Sequence, residues 1–275
     1  MIRYTERGAE LFNSARQKAY NSLEKTLDSL YGVEGVTEIR FRDEWLRRMD
    51  EEGGIFSDGW YCPPPRGTAV LTGNRVMFDS LRNDYNWSGN GKIDWQGVLY
   101  AYASPVDRIE GRIGDISVTL YFGDDGRVRD HVRNCHKATM EVFERLEEAD
   151  TAGDVFRMSQ EVFLNHELKS LVISRTDDMP INLGHTFTKL GRASEGEKLS
   201  GEERNELSSG RKFLNDAACW GFEEGLQFTV EPQLVSTDDE SLPKITQHYV
   251  VKKDKDGFVV CNDIDRLLLK YKLIG

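Results

Sequence analysis

The chain has 275 residues, 39% hydrophobic and 30% charged, a balance that excludes a disordered chain and fits one large mixed core. Thirty-six basic against 47 acidic side chains leave a formal charge of −11, the wrong sign for a partner whose phosphate backbone must be neutralised by Lys and Arg. No stretch approaches the roughly 20 apolar residues of a membrane span, and the N-terminal MIRYTERGAELF carries no apolar signal core, so a cytoplasmic protein is expected.

Ala9, Leu11, Phe12, Ala15, Ala19, Leu23, Leu27 and Leu30 recur at spacings of three and four, predicting an amphipathic helix from Glu6 to Tyr31 that Gly32 stops. Thr37 is the expected N-cap of a second helix, with Phe41, Trp45, Leu46 and Met49 as its buried stripe and Gly53-Gly54 as its end. Thr68 to Gly73 and Val98 to Ala103 read as strands. Between them Leu81 to Gly97 is expected to be a long surface loop near a site. Ile116 to Phe122 and Val128 to Val132 are predicted to form a hairpin about the turn Gly123-Asp124-Asp125-Gly126. Helices are expected from about Ala138 to Glu148, Ala152 to His166 and Glu202 to Leu214, and strands over Gln227 to Leu234, Ile245 to Lys252 and Gly257 to Val260. A short helix around Ile264 to Leu269 closes the chain. Cys62, Cys135, Cys219 and Cys261 form no CxxC pair and are expected to be reduced, mostly buried thiols. Helices followed by strands, twice over, point to an α+β architecture of two halves without a linker.

Three segments resemble the creatinase/methionine-aminopeptidase ("pita-bread") family. Gly35-Val36-Thr37-Glu38 with the helix after it is similar to the family's G-x-T-E. Gly114-Asp115-Ile116 and Asp130-x-x-Arg133 are similar to its GD-V and D-x-x-R. Leu183-Gly184-His185 resembles its GH strand, and Gly225-Leu226-Gln227-Phe228-Thr229-Val230-Glu231-Pro232 resembles G-M-x-F-T-x-E-P. The resemblance implies a single pita-bread domain over 1–275, with pseudo-symmetric halves of about 1–135 and 136–275 around a central cleft.

It also implies a two-metal site of two Asp, one His and two Glu, whose carboxylates offset the charge of two hard ions that activate a water. Carried over, Asp130 is the second Asp, His185 the His and Glu231 the first Glu. Leu120 falls where the first Asp should be, and Thr246 where the last Glu should be, with Gln247 as the register alternative. Two carboxylates are thus missing, which weakens a second ion. Tyr102 replaces the family's substrate-side His and Arg192 its second His.

The expectation is a metal-independent small-molecule enzyme. His185 carries protons, aided by Glu231 and Asp130, on an amino-acid-like or amide substrate in C–N hydrolysis, elimination or cyclisation. The substrate-binding candidates are Tyr102, Arg133, Arg192, Thr246 and His248. No cofactor is called for, although one divalent metal on Asp130, His185 and Glu231 stays open. Two alternatives remain at this point: a non-catalytic peptide- or protein-binding module and a one-metal aminopeptidase-like hydrolase. Partners are a small-molecule or peptide-like substrate and, as an open matter, a homo- or hetero-oligomer, with no nucleic acid or membrane. The lesser readings are a simple pair of Asp130 with Arg133 across a strand end and a satisfied core histidine at His185. His131, His136 and His166 have no supporting pattern, and Cys62 before Pro63-Pro64-Pro65 reads as a rigid loop.

Overall fold

The computed structural model describes residues 2–5, 14–61, 67–171, 177–192, 194 and 196–275. Cys62, the prolines after it and the first eight residues of the predicted N-terminal helix lie outside these. The elements in chain order are β1 (Ile2–Thr5), α1 (Ser14–Leu30), α2 (Glu38–Glu52), β2 (Ile55–Phe56), β3 (Thr68–Thr72), β4 (Val98–Ala103), β5 (Val106–Asp107) and β6 (Ile116–Tyr121). They continue with α3 (Gly126–Glu144), α4 (Ala152–Asn165), β7 (Leu168–Ser170), α5 (Gly201–Ser209), β8 (Gln227–Val230), β9 (Gln233–Ser236), β10 (Ile245–Thr246), β11 (Tyr249–Asp254), β12 (Gly257–Cys261) and α6 (Asp265–Lys270). No helix among the described residues is long and apolar enough to cross a membrane.

The chain divides into two compact units. One holds Gly8–Gly123 and Phe187–Arg211, the other Met1–Arg7, Asp124–Thr186 and Lys212–Gly275. The division falls after residue 123, and 187–211 belongs to the first unit.

In the first unit α1 packs on α2, and the buried Trp45 indole donates to the Ala19 carbonyl at 2.9 Å. Thr37 caps α2 as expected, its hydroxyl accepting from Arg40 N. Glu38, fully buried in the first turn of α2, accepts from Thr72 N at 2.9 Å and Gly89 N at 2.8 Å and pairs with Arg75 at 2.6 Å. One carboxylate therefore pins β3 to the loop that follows it, and burial raises its pKa. The predicted surface loop 81–97 is stitched in place, with Trp87 donating to Leu81 O and Trp95 to Val33 O. β3, β4 and β6 form an antiparallel sheet whose residues are all buried. Leu120 is part of that apolar interior, with no exposure.

In the second unit the predicted hairpin is absent: β6 is followed by α3, not by a strand. Asp125 caps the helix, accepting from Arg127 N at 2.9 Å. Its buried stripe is Val132, Cys135, Ala138, Thr139, Val142 and Phe143. A helical period sustained over these turns prevails over the alternation of Val128, Asp130 and Val132, which suggested a strand. Thr151 and Asp154 close α4 with a capping box. Cys135 and Cys261 are buried, whereas Cys219 is exposed.

Two predicted strands are each broken in the middle. Gln227 to Leu234 becomes β8 and β9, and Ile245 to Lys252 becomes β10 and β11. β8 pairs with β11 in the sheet β1-β12-β11-β8, while β9 pairs with β10 in the sheet β10-β9-β7. Tyr249 opposes Val230 on one side of the break and Thr246 opposes Gln233 on the other. The register runs through without a slip, so Glu231 stands opposite His248 and Pro232 opposite Gln247. Pro232 has no N–H to give to a ladder, which breaks the pairing at this point.

Candidate functional site

The break between the two sheets gathers the chemistry of the second unit. The segment 183–186 runs between 229–231 and 212–214. Glu231 N donates to Leu183 O and Thr229 N to His185 O, both at 2.8 Å, and on the other side Leu183 N donates to Leu214 O at 2.8 Å. Gly184 permits this spacing: a Cβ there would meet Thr229 Oγ1 at 2.7 Å and its carbonyl carbon at 2.8 Å. The backbone at His185 and Glu231 is thus held by hydrogen bonds, although both lie outside the named strands.

Glu231 lies between two imidazoles. Its Oε1 is 3.7 Å from His185 Nε2, and its Oε2 is 3.7 Å from His248 Nδ1. His248 is fully buried and His185 is 4% exposed, while the Glu231 side chain is 20% exposed. Thr229 joins the group twice, accepting from His185 N at 2.9 Å and donating to Glu231 Oε1 at 3.4 Å. His185 Nδ1 lies 3.1 Å from the Thr186 carbonyl. A carbonyl only accepts, so this contact is a hydrogen bond in the tautomer with the hydrogen on Nδ1, which leaves Nε2 facing Glu231. The edge of Phe213 packs on the His185 ring. Thr246 and Gln247 complete the break, 2% and 1% exposed.

The other expected residues are placed elsewhere. Asp130 stands on α3, not at a hairpin end, with its side chain 75% exposed. Its partner is Arg133, one turn along the same helix, and among the described residues it has no contact with His185 or Glu231. The D-x-x-R spacing is here that of a helical surface pair. Tyr102 and Arg192 belong to the first unit. Tyr102, on β4, is buried beside Tyr61 at a centroid distance of 5.7 Å, and burial, then the charge of Asp115, pushes its phenol up. Arg192 is exposed. The three other histidines have structural partners: His131 the Pro243 carbonyl at 3.0 Å, His136 Asp265 at 3.3 Å, and His166 both Asn134 and Glu141 at 2.9 Å.

The donors at the break are one carboxylate, two imidazoles and the neutral side chains of Thr246 and Gln247. Two divalent ions about 3.5–4 Å apart need several carboxylates to bridge them and balance their charge. This donor set does not fit such a centre, and among the described residues no group of three or more His, Cys, Asp or Glu is arranged to hold a metal ion.

No family model matches the sequence, and no curated protein matches it. Solved structures do match. X-Pro aminopeptidase from Thermotoga maritima MSB8 aligns with 94% of this chain and 61% of its own, at a TM-score of 0.62 and 15% identity. Prolidase from Pyrococcus furiosus aligns with 94% of this chain and 64% of its own, at a TM-score of 0.62 and 14% identity. Methionine aminopeptidase from Rickettsia prowazekii aligns with 90% of this chain and 94% of its own, at a TM-score of 0.58 and 15% identity. The chain therefore has the α+β pita-bread fold of these peptidases. It spans about three fifths of the length of the first two.

Proposed function

We propose that the chain is a metal-independent enzyme acting on a small amide or amino-acid-like substrate by acid/base chemistry at His185, Glu231 and His248. The observation that supports this most is the placement of Glu231, which offers a separate carboxylate oxygen to each of two buried imidazoles. Such a group keeps both rings oriented and balances the charge when either takes up a proton. One imidazole can then accept a proton from the substrate or a water while the other returns one to the leaving nitrogen. C–N hydrolysis, elimination and cyclisation all need this pair of transfers. The fold is that of proteins named as aminopeptidases and prolidases, which favours a peptide- or amino-acid-like ligand. A non-catalytic binding module is the second reading, favoured by the neutral Thr246 and Gln247 at the break.

The test is a turnover screen of small amides, amino-acid amides and dipeptides in the presence of a chelator, with His185→Gln as the control. His185→Gln should lower turnover by roughly 10²–10⁴-fold, the usual contribution of a positioned acid or base. Turnover that survives this substitution unchanged would remove His185 from the reaction. A screen without any turnover would favour the binding module.

A further inference from the structure

Gln247 stands at the break, and the acid/base cluster leaves its state unexplained. Its side chain is 1% exposed, and neither amide atom, Nε2 or Oε1, has a hydrogen-bond partner among the described residues. Exchanging the two atoms by an amide flip does not help, because both lack partners. Buried polar groups in folded proteins are nearly always paired, and each exception calls for a reason. An apolar side chain of the same size would avoid the desolvation penalty altogether. The backbone gives the place: Gln247 follows Thr246 at the end of β10, precedes His248, and stands opposite Pro232, where the ladder has no donor.

We infer that Gln247 reads the ligand of this site, and that the ligand presents a neutral amide edge, either a lactam or a primary carboxamide. The inference rests on the strand break being the site, as proposed above. The class follows from the hydrogen-bond inventory. A carboxylate only accepts, so it would satisfy Nε2 and leave Oε1 facing a negative charge. An ammonium or guanidinium only donates, so it would satisfy Oε1 and leave Nε2 orphaned. A lactam or carboxamide offers one donor and one acceptor on the same edge and pairs with both atoms at once. It is also uncharged, so it enters the buried surroundings of Gln247 without the desolvation penalty of an ion.

The experiment uses the full chain and four probes: 2-pyrrolidinone, acetamide, acetate and guanidinium. Affinities are measured by ligand-observed NMR for the wild type, Gln247→Leu and His185→Gln, together with each protein's thermal midpoint. The wild type should bind 2-pyrrolidinone or acetamide and neither ion. In Gln247→Leu the affinity should fall by about tenfold or more while the thermal midpoint rises, since an orphaned amide has been removed. A lower midpoint in Gln247→Leu would mean that the amide serves the fold, and the inference would be overturned. Undiminished binding in Gln247→Leu, as expected if ordered water satisfies the amide, would overturn it as well, and so would a wild type that binds neither amide probe. Binding that survives His185→Gln but not Gln247→Leu, without turnover of any amide, would leave this inference standing and remove the acid/base reading. Turnover unaffected by Gln247→Leu would do the reverse.

Discussion

Gly184→Ala should cost the protein a large share of its stability, on the order of 4 kcal/mol against a typical total of about 5–15. The added methyl group would meet Thr229 Oγ1 at 2.7 Å and the Thr229 carbonyl carbon at 2.8 Å. Backbone cannot swing aside as a flexible side chain can. The strand carrying Thr229 is held by Thr229 N to His185 O and Glu231 N to Leu183 O, so relief requires both bonds to lengthen. Those bonds also set the distance between His185 and Glu231, so any protein that still folds should lose turnover too. Gly126→Ala is the control. Nothing lies within 4 Å of its Cβ position in the first turn of α3, and the change should be neutral or stabilising by roughly 0.5–1 kcal/mol. Urea unfolding of the three proteins measures the contrast. A Gly184→Ala protein as stable as the wild type would show that the two strands are not as close as described.

The second large effect is expected at Glu231. Glu231→Gln keeps the size of the side chain and the hydrogen bond to Thr229 but removes the charge shared by His185 and His248. Turnover should fall by roughly 10²–10⁴-fold, while the thermal midpoint stays level or rises slightly, because a partly buried carboxylate has been replaced by an amide. The double variant Glu231→Gln with His185→Gln separates a working unit from two independent contributions. Residues that act as one unit lose about as much together as either does alone. Losses that multiply would mean that Glu231 and His185 serve separate steps.

Much of this arrangement is legible in the amino-acid order, because it is carried by local signals. Thr37 before Phe41 and Trp45 marks α2, and the run Phe228-Thr229-Val230-Glu231-Pro232 marks the edge of the site. The errors arise where one spacing serves two structures. Asp130 and Arg133, three apart, match a motif and equally match one turn of helix, and the buried stripe from Val132 to Phe143 decides for helix. Gln227 to Leu234 looks like one strand until the missing N–H of Pro232 is given its weight. The pattern puts Thr246 at the place of the last Glu with Gln247 as the register alternative, and the register across the break sets Glu231 opposite His248 and Pro232 opposite Gln247. The return of residues 187–211 to the first unit is a non-local fact to which no short-range pattern points.

The proposed enzyme works without a metal ion; one carboxylate and two imidazoles fall short of the carboxylates that a two-ion centre needs. The most direct measurement is the metal content of the purified protein by elemental mass spectrometry, after incubation with Mn²⁺, Co²⁺ or Zn²⁺ and desalting. Retention below about 0.1 equivalent is the result predicted for a site that works by acid/base chemistry alone. Retention of about one equivalent or more, lost in Glu231→Gln, would contradict the account and make the break a metal centre.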